Sequence, residues 1–510
     1  MTGTNSQDPV VTPMESLRKP SAQAGSRMIH SIGWTGAATW GTQLVTWAYM
    51  IILARMLTPS DFGLIGMANL PLQILTMASE FGVGMAVIML HDLSEGQISQ
   101  LNTVALMSSA ALFAVSCAVA HPLGHFFRAP ALPIVIIALS AGLLITSFQI
   151  VPAALLRREF RFKLLAKIQV AQVLGYGVAA VVSVFFGAGY WSFVIANITG
   201  LLVVTLLTLC FRQHSFAWPR LASLRQSLVF SSHVFGLRLA WFGTSNADFV
   251  VTGRVLGEAS LGAYNLAWNL AMQPLQKFSD LVTGVVPSYF SKVNADTAAL
   301  RRYVLMITQA LSLLMVPATL GLALVADDFI FVVFGPKWLN SVTPLRILGA
   351  YAAARSITSF FVPLLNARGR SKFVMWNHAL GLLYFSAGFY FASHWGATGI
   401  ALTWPLLYPL LAVPLYIQVF REINLSFRTY IAFLRPALTG SFIMIISVLI
   451  VKTFLSLPSA YLRLLIETAT GAVTYSLAIA GLYFGELRRA YTMIRPATQR
   501  LALAPEGTNV

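Results

Sequence analysis

The sequence is poor in charged residues and in cysteine. Only 10% of its 510 residues are Asp, Glu, Lys or Arg, whereas a soluble domain of ordinary composition has about 25%. The charge is therefore too sparse to cover a water-facing surface. Its two cysteines, Cys117 and Cys210, both lie in apolar runs, so they support neither a disulfide framework nor a metal cluster.

Apolar runs of about 20 residues recur from end to end, and 57% of the residues are hydrophobic. Because a backbone in lipid must satisfy its own hydrogen bonds, these runs predict helices. We expect an all-α polytopic membrane protein with about 14 transmembrane helices. The predicted spans are 30–53, 62–90, 98–120, 131–155, 164–186, 189–211, 228–253, 260–289, 303–326, 341–365, 373–393, 397–420, 430–451 and 460–484.

The distribution of basic residues predicts the topology. An even number of spans places both termini on one side, and assigning that side to the cytoplasm puts most of the 34 Lys and Arg at cytoplasmic ends. Insertion into membranes favours this asymmetry, so it accounts for the net charge of +17 without nucleic acid. The polar stretch up to Arg27 has no signal-peptide core, so the first span is expected to direct insertion.

No predicted loop exceeds about 16 residues, which leaves no room for a nucleotide-binding domain. Work on a substrate must then be done by the helices. His121 and His125 have the spacing of two metal ligands, but Pro122 lies between them and a third ligand is missing. We expect no metal site and no cofactor.

An internal repeat divides the chain. "ARMLTPSDFG" (54–63) aligns with "GRVLGEASLG" (253–262), and "ASEFGVG" (78–84) with "FSDLVTG" (278–284). Two six-helix halves of the same topology are expected, related by an axis along the membrane normal with the substrate path between them. The predicted domains are an N-terminal segment (1–27), an N-lobe (28–215), a linker (216–227), a C-lobe (228–420), two further helices (430–484) and a cytoplasmic tail (485–510).

This order of motifs, over about residues 28–485, resembles the polysaccharide flippases of the multidrug/oligosaccharidyl-lipid/polysaccharide exporter superfamily. The resemblance implies an inner-membrane protein that moves undecaprenyl-pyrophosphate-linked oligosaccharide units for O-antigen or exopolysaccharide synthesis by alternating access. It also implies membrane lipids and the polysaccharide polymerase and export machinery as partners. Nothing in the sequence requires a second subunit, so a monomer is expected.

Two alternatives stay open at this point. A cation-coupled multidrug or metabolite exporter of the same superfamily would have twelve spans, a stronger acid cluster and fewer internal arginines. An integral-membrane glycosyltransferase or polymerase would need a catalytic site on a sizeable periplasmic loop, and the predicted loops are short. We therefore expect a transporter rather than an enzyme.

Two acidic residues stand at matching places in the two repeats, and a lysine lies close to one of them. Glu80 and Asp280 coincide in the alignment, and Lys277 lies one helical turn before Asp280. Charges at membrane depth are costly and usually face a cavity or a partner. Glu80 and Asp280 are candidates for ion coupling or inter-lobe contact, and Lys277 is a candidate substrate contact or the local partner of Asp280.

Further charges lie in other spans or at their ends. Arginine forks match pyrophosphate, so Arg238 and Arg355 are candidate substrate contacts, although Arg238 can also bridge to an acid between the lobes. Asp248 joins the ion-coupling or inter-lobe candidates. Arg55 and Arg254 close the first helix of each half and are candidates for a periplasmic gate, or for capping the last carbonyls. Glu467 is expected to pair with Arg463, one turn before it.

Overall fold

The protein is described by a computed structural model for residues 41–89, 93–219, 242–243, 245–293, 297–455 and 457–502. This part of the chain is almost entirely helical and contains no strand. The main helices are α1 (41–56), α2 (Pro59–Met89), α3 (Glu95–Phe127), α4 (Leu132–Arg158), α5 (Phe162–Phe185), α6 (Trp191–Phe211), α7 (245–251), α8 (Gly257–Val293), α9 (Thr297–Leu324), α10 (Ala326–Phe329), α11 (Val342–Ser356), α12 (Phe361–Ala367), α13 (Ser371–Ala392), α14 (Gly396–Glu422), α15 (Phe427–Phe454) and α16 (Ala460–Ala502).

Apart from a break in the tenth, the predicted spans coincide with helices wherever the chain is described. Ten segments of the described residues are long and apolar enough to cross a membrane, and one of them, Ser371–Glu422, contains both α13 and α14. These two helices are antiparallel neighbours, since the Asn377 amide donates to the Leu411 carbonyl at 3.0 Å. The all-α polytopic membrane fold is confirmed. The number fourteen stays a prediction, because the spans 30–53 and 228–253 begin outside the described residues.

The tenth predicted span is interrupted. The span predicted over 341–365 is confirmed, since Pro336–Ala367 is one apolar segment long enough to cross a membrane. A continuous helix was expected there and is wrong, because α11 ends at Ser356 and α12 begins at Phe361. Hydroxyl groups bond the carbonyls at the break, Ser356 to Ala353 at 2.7 Å and Thr358 to Arg355 at 3.0 Å. Such side chains let a helix break at membrane depth without leaving backbone groups unsatisfied.

The two halves of the chain meet where α2 crosses α8. A Cβ built on Gly63 would lie 1.8 Å from the carbonyl oxygen of Glu258, and one on Gly262 would lie 1.8 Å from that of Pro59. Gly63 aligns with Gly262 in the repeat, and Pro59 with Glu258, so the contact is reciprocal. That reciprocity is the arrangement expected of two halves related by a two-fold axis, although the lobe boundaries stay predictions.

The last two helices, α15 and α16, pack on each other and against α9. The Tyr475 hydroxyl of α16 donates to the Leu313 carbonyl of α9 at 2.6 Å.

We expected Arg463 and Glu467 to form an ion pair with each other, and this is wrong. Each residue has its main ion pair with a residue of another helix. Arg463 reaches across to Asp328 of α10 at 2.8 Å, and Lys452 lies 3.4 Å from Glu467. Spacing along one helix missed both partners because they come from other helices.

Candidate functional site

A cavity of about 960 Å³ lies among α1, α2, α4, α5 and α6. It extends along α4 from Leu139 to Arg157 and reaches Phe162 at the start of α5. The α4–α5 loop is one of the predicted cytoplasmic loops, so the cavity extends toward that side. In the other direction its lining on α2 stops at Asn69, short of the α2–α8 crossing. Its size is that of a ligand pocket.

Amide side chains supply much of the cavity's polar lining. There are six of them: Asn69, Gln73, Gln149, Gln169, Gln172 and Asn197. Each amide offers two N–H donors and one carbonyl acceptor. No hydrogen bond connects these side chains to any residue in the described part of the chain. Their hydrogen-bonding capacity is therefore available to a ligand or to water.

A second set of amide side chains, on α1 and α8, is hydrogen-bonded within the protein. On α8, Asn269 donates to the side chain of Asn265 at 2.7 Å, and Gln273 donates to Asn269 at 3.3 Å. Gln43 of α1 then donates to Gln273 at 3.4 Å. This second set satisfies itself and ties α1 to α8, whereas the cavity amides do not.

Arg157 is the single charged residue among the described lining residues of the cavity. Its side chain is exposed and has no ion pair or hydrogen bond with a described residue. Another arginine at the same face is already neutralised, because Arg212 lies 3.0 Å from Glu159. Arg157 thus provides an available guanidinium at the end of the cavity near the α4–α5 loop.

The opposite end is closed by contacts between the halves. Lys337 donates to the carbonyls of Arg55 and Leu57, and the Trp338 indole donates to the Ala54 carbonyl at 2.8 Å. These carbonyls end α1, where a helix leaves acceptors without partners. Arg55 itself donates to Val333 at 2.8 Å. The end of α1 is therefore bound to the segment after α9.

Arg254, which aligns with Arg55 in the repeat, makes fewer contacts in the second half. Arg254 lies in the π-helical turn Thr252–Leu256 that follows α7, and its guanidinium stands 5.3 Å from the centre of the Phe126 ring. One of its terminal nitrogens is buried without a partner in the described residues. Both arginines thus lie at the closed end, but Arg55 makes hydrogen bonds there, whereas Arg254 contacts an aromatic ring.

Two carboxylates also stand at this end. Burial, and after it the negative charge of Asp61, raise the pKa of Glu258. Glu258 lies two residues before the predicted span 260–289. A more open arrangement would hydrate this carboxyl and lower its pKa again.

Asp248 is fully buried in the second half. Its carboxylate accepts hydrogen bonds from the Tyr264 hydroxyl at 2.6 Å and from the Trp404 indole at 3.1 Å. Its other oxygen has no partner in the described residues. These contacts join α7, α8 and α14 within one half. A buried carboxyl with an unused oxygen can bind a proton or a cation.

Arg355 belongs to the same polar group. Its guanidinium donates to the Tyr351 hydroxyl at 3.2 Å, and the Tyr351 ring stacks on Trp404 at 5.1 Å. Its place in the last turn of α11 is electrostatically favourable for a cation. It does not line the cavity described above.

The remaining predicted site residues are not described in full. Arg238 lies outside the described residues, as do the side chains of Lys277, Asp280 and Glu80. Along α2, position 80 lies between Thr76 and Gly84, which both line the cavity.

The sequence analysis missed the cavity amides and the two donors to Asp248. A signal for the amides existed, because Asn69 and Gln73 are four residues apart and Gln169 and Gln172 three apart in apolar runs. Those spacings place each pair on one helix face.

The fold and cavity define a multi-pass membrane protein with a polar, helix-lined cavity closed at one end. Residues 52–343, more than half of the chain, match the family described as polysaccharide biosynthesis protein, and the chain belongs to that family. The resemblance drawn from the repeat is confirmed.

Relatives match over most of the chain. This chain is 27% identical to the succinoglycan biosynthesis transport protein ExoT of Rhizobium meliloti (strain 1021), over 93% of this chain and 97% of ExoT. It is 26% identical to the lipopolysaccharide biosynthesis protein WzxC of Escherichia coli (strain K12), over 83% of each chain.

Solved structures share the fold. The lipid II flippase MurJ in an inward closed conformation superposes with a TM-score of 0.72 at 13% identity, covering 89% of this chain and 99% of MurJ. A multidrug resistance MATE family transporter of the MOP superfamily, inward-facing, gives 0.57 at 14% identity, covering 76% and 96%.

Proposed function

We propose that this protein is a flippase that moves a lipid-linked oligosaccharide across the bacterial inner membrane for polysaccharide export. The observation that carries the proposal is a cavity whose amides have no partner in the described part of the chain, and which reaches one face and is closed at the other. The family and the names of ExoT and WzxC support a role in polysaccharide transport. The fold shared with MurJ supports a lipid-linked substrate.

The mechanism is alternating access. The sugar head group enters the cavity from the cytoplasmic side while the undecaprenyl chain stays in the bilayer. The closed end then opens as the two halves separate at the α2–α8 crossing. Arg55 and Arg254 act as the periplasmic gate, because both lie in the contact that must break. Transport changes no covalent bond, so no catalytic residue is needed.

Ion coupling is assigned to the buried acids. Asp248 is the best described of them, since an unused carboxyl oxygen in an aromatic enclosure gives a proton or cation a defined place. Glu80 and Asp280 are the other candidates, on matching helices. Arg238, Arg355 and Lys277 remain candidates for contact with the substrate, and the protein works as a monomer with both termini in the cytoplasm.

Deleting the gene tests the proposal. Cells lacking it should lose the exported polymer and accumulate the lipid-linked repeat unit, and a plasmid copy should reverse both effects. Mass spectrometry of extracted lipids and staining of polymer give the two readouts. If the polymer is lost but no lipid-linked oligosaccharide accumulates, the protein acts before the flipping step and the proposal is wrong.

A further inference from the structure

The cavity has different chemistry at its two ends, which bears on how a head group lies in it. Arg157 stands at the end near the α4–α5 loop. Asn197 stands deep in the cavity, with its amide oxygen 3.8 Å from the Cβ position of Gly142. Gly142 and Arg157 are fifteen residues apart on α4, roughly 22 Å at 1.5 Å per residue. That length holds a chain of several sugar rings.

The charged and the amide side chains of the lining suit different parts of a lipid-linked sugar. A guanidinium binds a pyrophosphate through paired, charge-assisted hydrogen bonds. Sugar hydroxyls both donate and accept, and amides can do the same. The six cavity amides have no partner in the described part of the chain, whereas the α8 amides satisfy one another. A ligand rich in hydroxyls therefore fits the first set.

We propose that the head group binds with its pyrophosphate at Arg157 and its sugars extended along the amides, the far end of the glycan reaching Asn197. This rests on the proposed function. In this orientation the lipid stays near the α4–α5 loop, and the glycan enters first toward the closed end. The substrate class is a hydroxyl-rich glycan carried on a pyrophosphate, because the described polar lining consists mainly of amides with one guanidinium.

Binding measurements on the purified full-length protein in detergent test the orientation. One probe is undecaprenyl pyrophosphate, and the other is the lipid-linked oligosaccharide extracted from cells lacking the gene. Arg157→Gln should weaken the binding of both probes by about tenfold to a hundredfold, as expected for the loss of a hydrogen bond to a charged group. Arg161→Gln, four residues further on in the α4–α5 loop and outside the cavity lining, is the matched control and should change the binding of neither probe.

The amides are tested with variants of similar size that cannot form hydrogen bonds. Gln149→Leu and Asn197→Leu should each weaken the oligosaccharide probe by about threefold to tenfold and leave undecaprenyl pyrophosphate unchanged. Gln169→Leu, at an exposed position, gives a second reading if a half-buried variant is unstable.

The outcomes separate the two proposals. If the wild type binds the oligosaccharide probe but Arg157→Gln leaves both dissociation constants unchanged, the orientation is wrong and the flippase assignment stands. If the leucine variants weaken the binding of both probes equally, the amides do not contact the sugars and the orientation is again wrong. If the wild type binds neither probe, the flippase assignment fails as well.

Discussion

One added methyl group at Gly63 should open the closed end of the cavity. The Cβ of Gly63→Ala would lie 1.8 Å from the Glu258 carbonyl oxygen and 2.6 Å from its carbon. Both atoms belong to the backbone of α8, so no side-chain rotation relieves the clash. Carbon–oxygen contacts of about 3.3 Å are the closest commonly seen, so α2 and α8 must part by roughly 1.5 Å at this point.

The energetic effect follows from this displacement. Overpacking a well-packed contact costs about 1 to 3 kcal/mol, which shifts a two-state equilibrium about 5-fold to 150-fold. The cost falls on the closed state, because the two backbones touch there. Gly262→Ala should behave in the same way through Pro59. The double variant should be less than additive, since one separation relieves both clashes.

Thiol labelling measures the opening. Leu57 is 3% exposed at the closed end, so Leu57→Cys in a background with Cys117 and Cys210 replaced by Ser gives a reporter. A membrane-impermeant maleimide should label Gly63→Ala faster than the parent. Gly66→Ala is the matched control, since its Cβ would lie 3.4 Å from its nearest neighbour, an ordinary contact. Equal labelling rates for folded Gly63→Ala and Gly66→Ala would refute the reasoning.

Three other predictions concern charge. Because the closed state raises the pKa of Glu258, a proton favours closure, so labelling at position 57, divided by the rate of a freely exposed cysteine at the same pH, should slow as pH falls from about 8 to about 5; Glu258→Gln should make this relative rate low at every pH, and a variant whose profile matches that of the parent would exclude this carboxyl. Asp248→Asn keeps an acceptor for Tyr264 and should preserve thermal stability while impairing transport, whereas Asp248→Ala strands buried donors and should cost about 1 to 3 kcal/mol; full transport by the Asn variant would remove Asp248 from ion coupling. A reporter fused after position 370 should read cytoplasmic, and a periplasmic reading would break the predicted topology.

The helices were predictable because they depend on local pattern. The place of the cavity was not, because we expected the substrate path between the halves, whereas every described lining residue belongs to the predicted N-lobe (28–215). Apolar runs mark membrane helices in any sequence, and aligning the repeat paired Gly63 with Gly262 before their contact was known. The reciprocal approach of their backbones explains why both positions are glycine.

Contacts between distant segments were not predictable. Asp248 and Trp404 are 156 positions apart, and no periodicity relates them. Arg463 has an acid one turn away yet bonds Asp328, because α10 brings a closer partner from another part of the chain. The break between α11 and α12 lies in an apolar run that reads as one helix, and the hydroxyls that permit it carry no strong signal.

Reconstitution tests most directly whether the lipid-linked oligosaccharide crosses the membrane through this protein. The lipid-linked oligosaccharide extracted from cells lacking the gene is incorporated in both leaflets of liposomes, with or without the purified protein. A membrane-impermeant glycosidase then cleaves the glycan that is exposed outside. The account predicts that wild-type protein brings the inner-leaflet glycan out to the enzyme. Protein-containing liposomes that protect as much glycan as empty ones would contradict it.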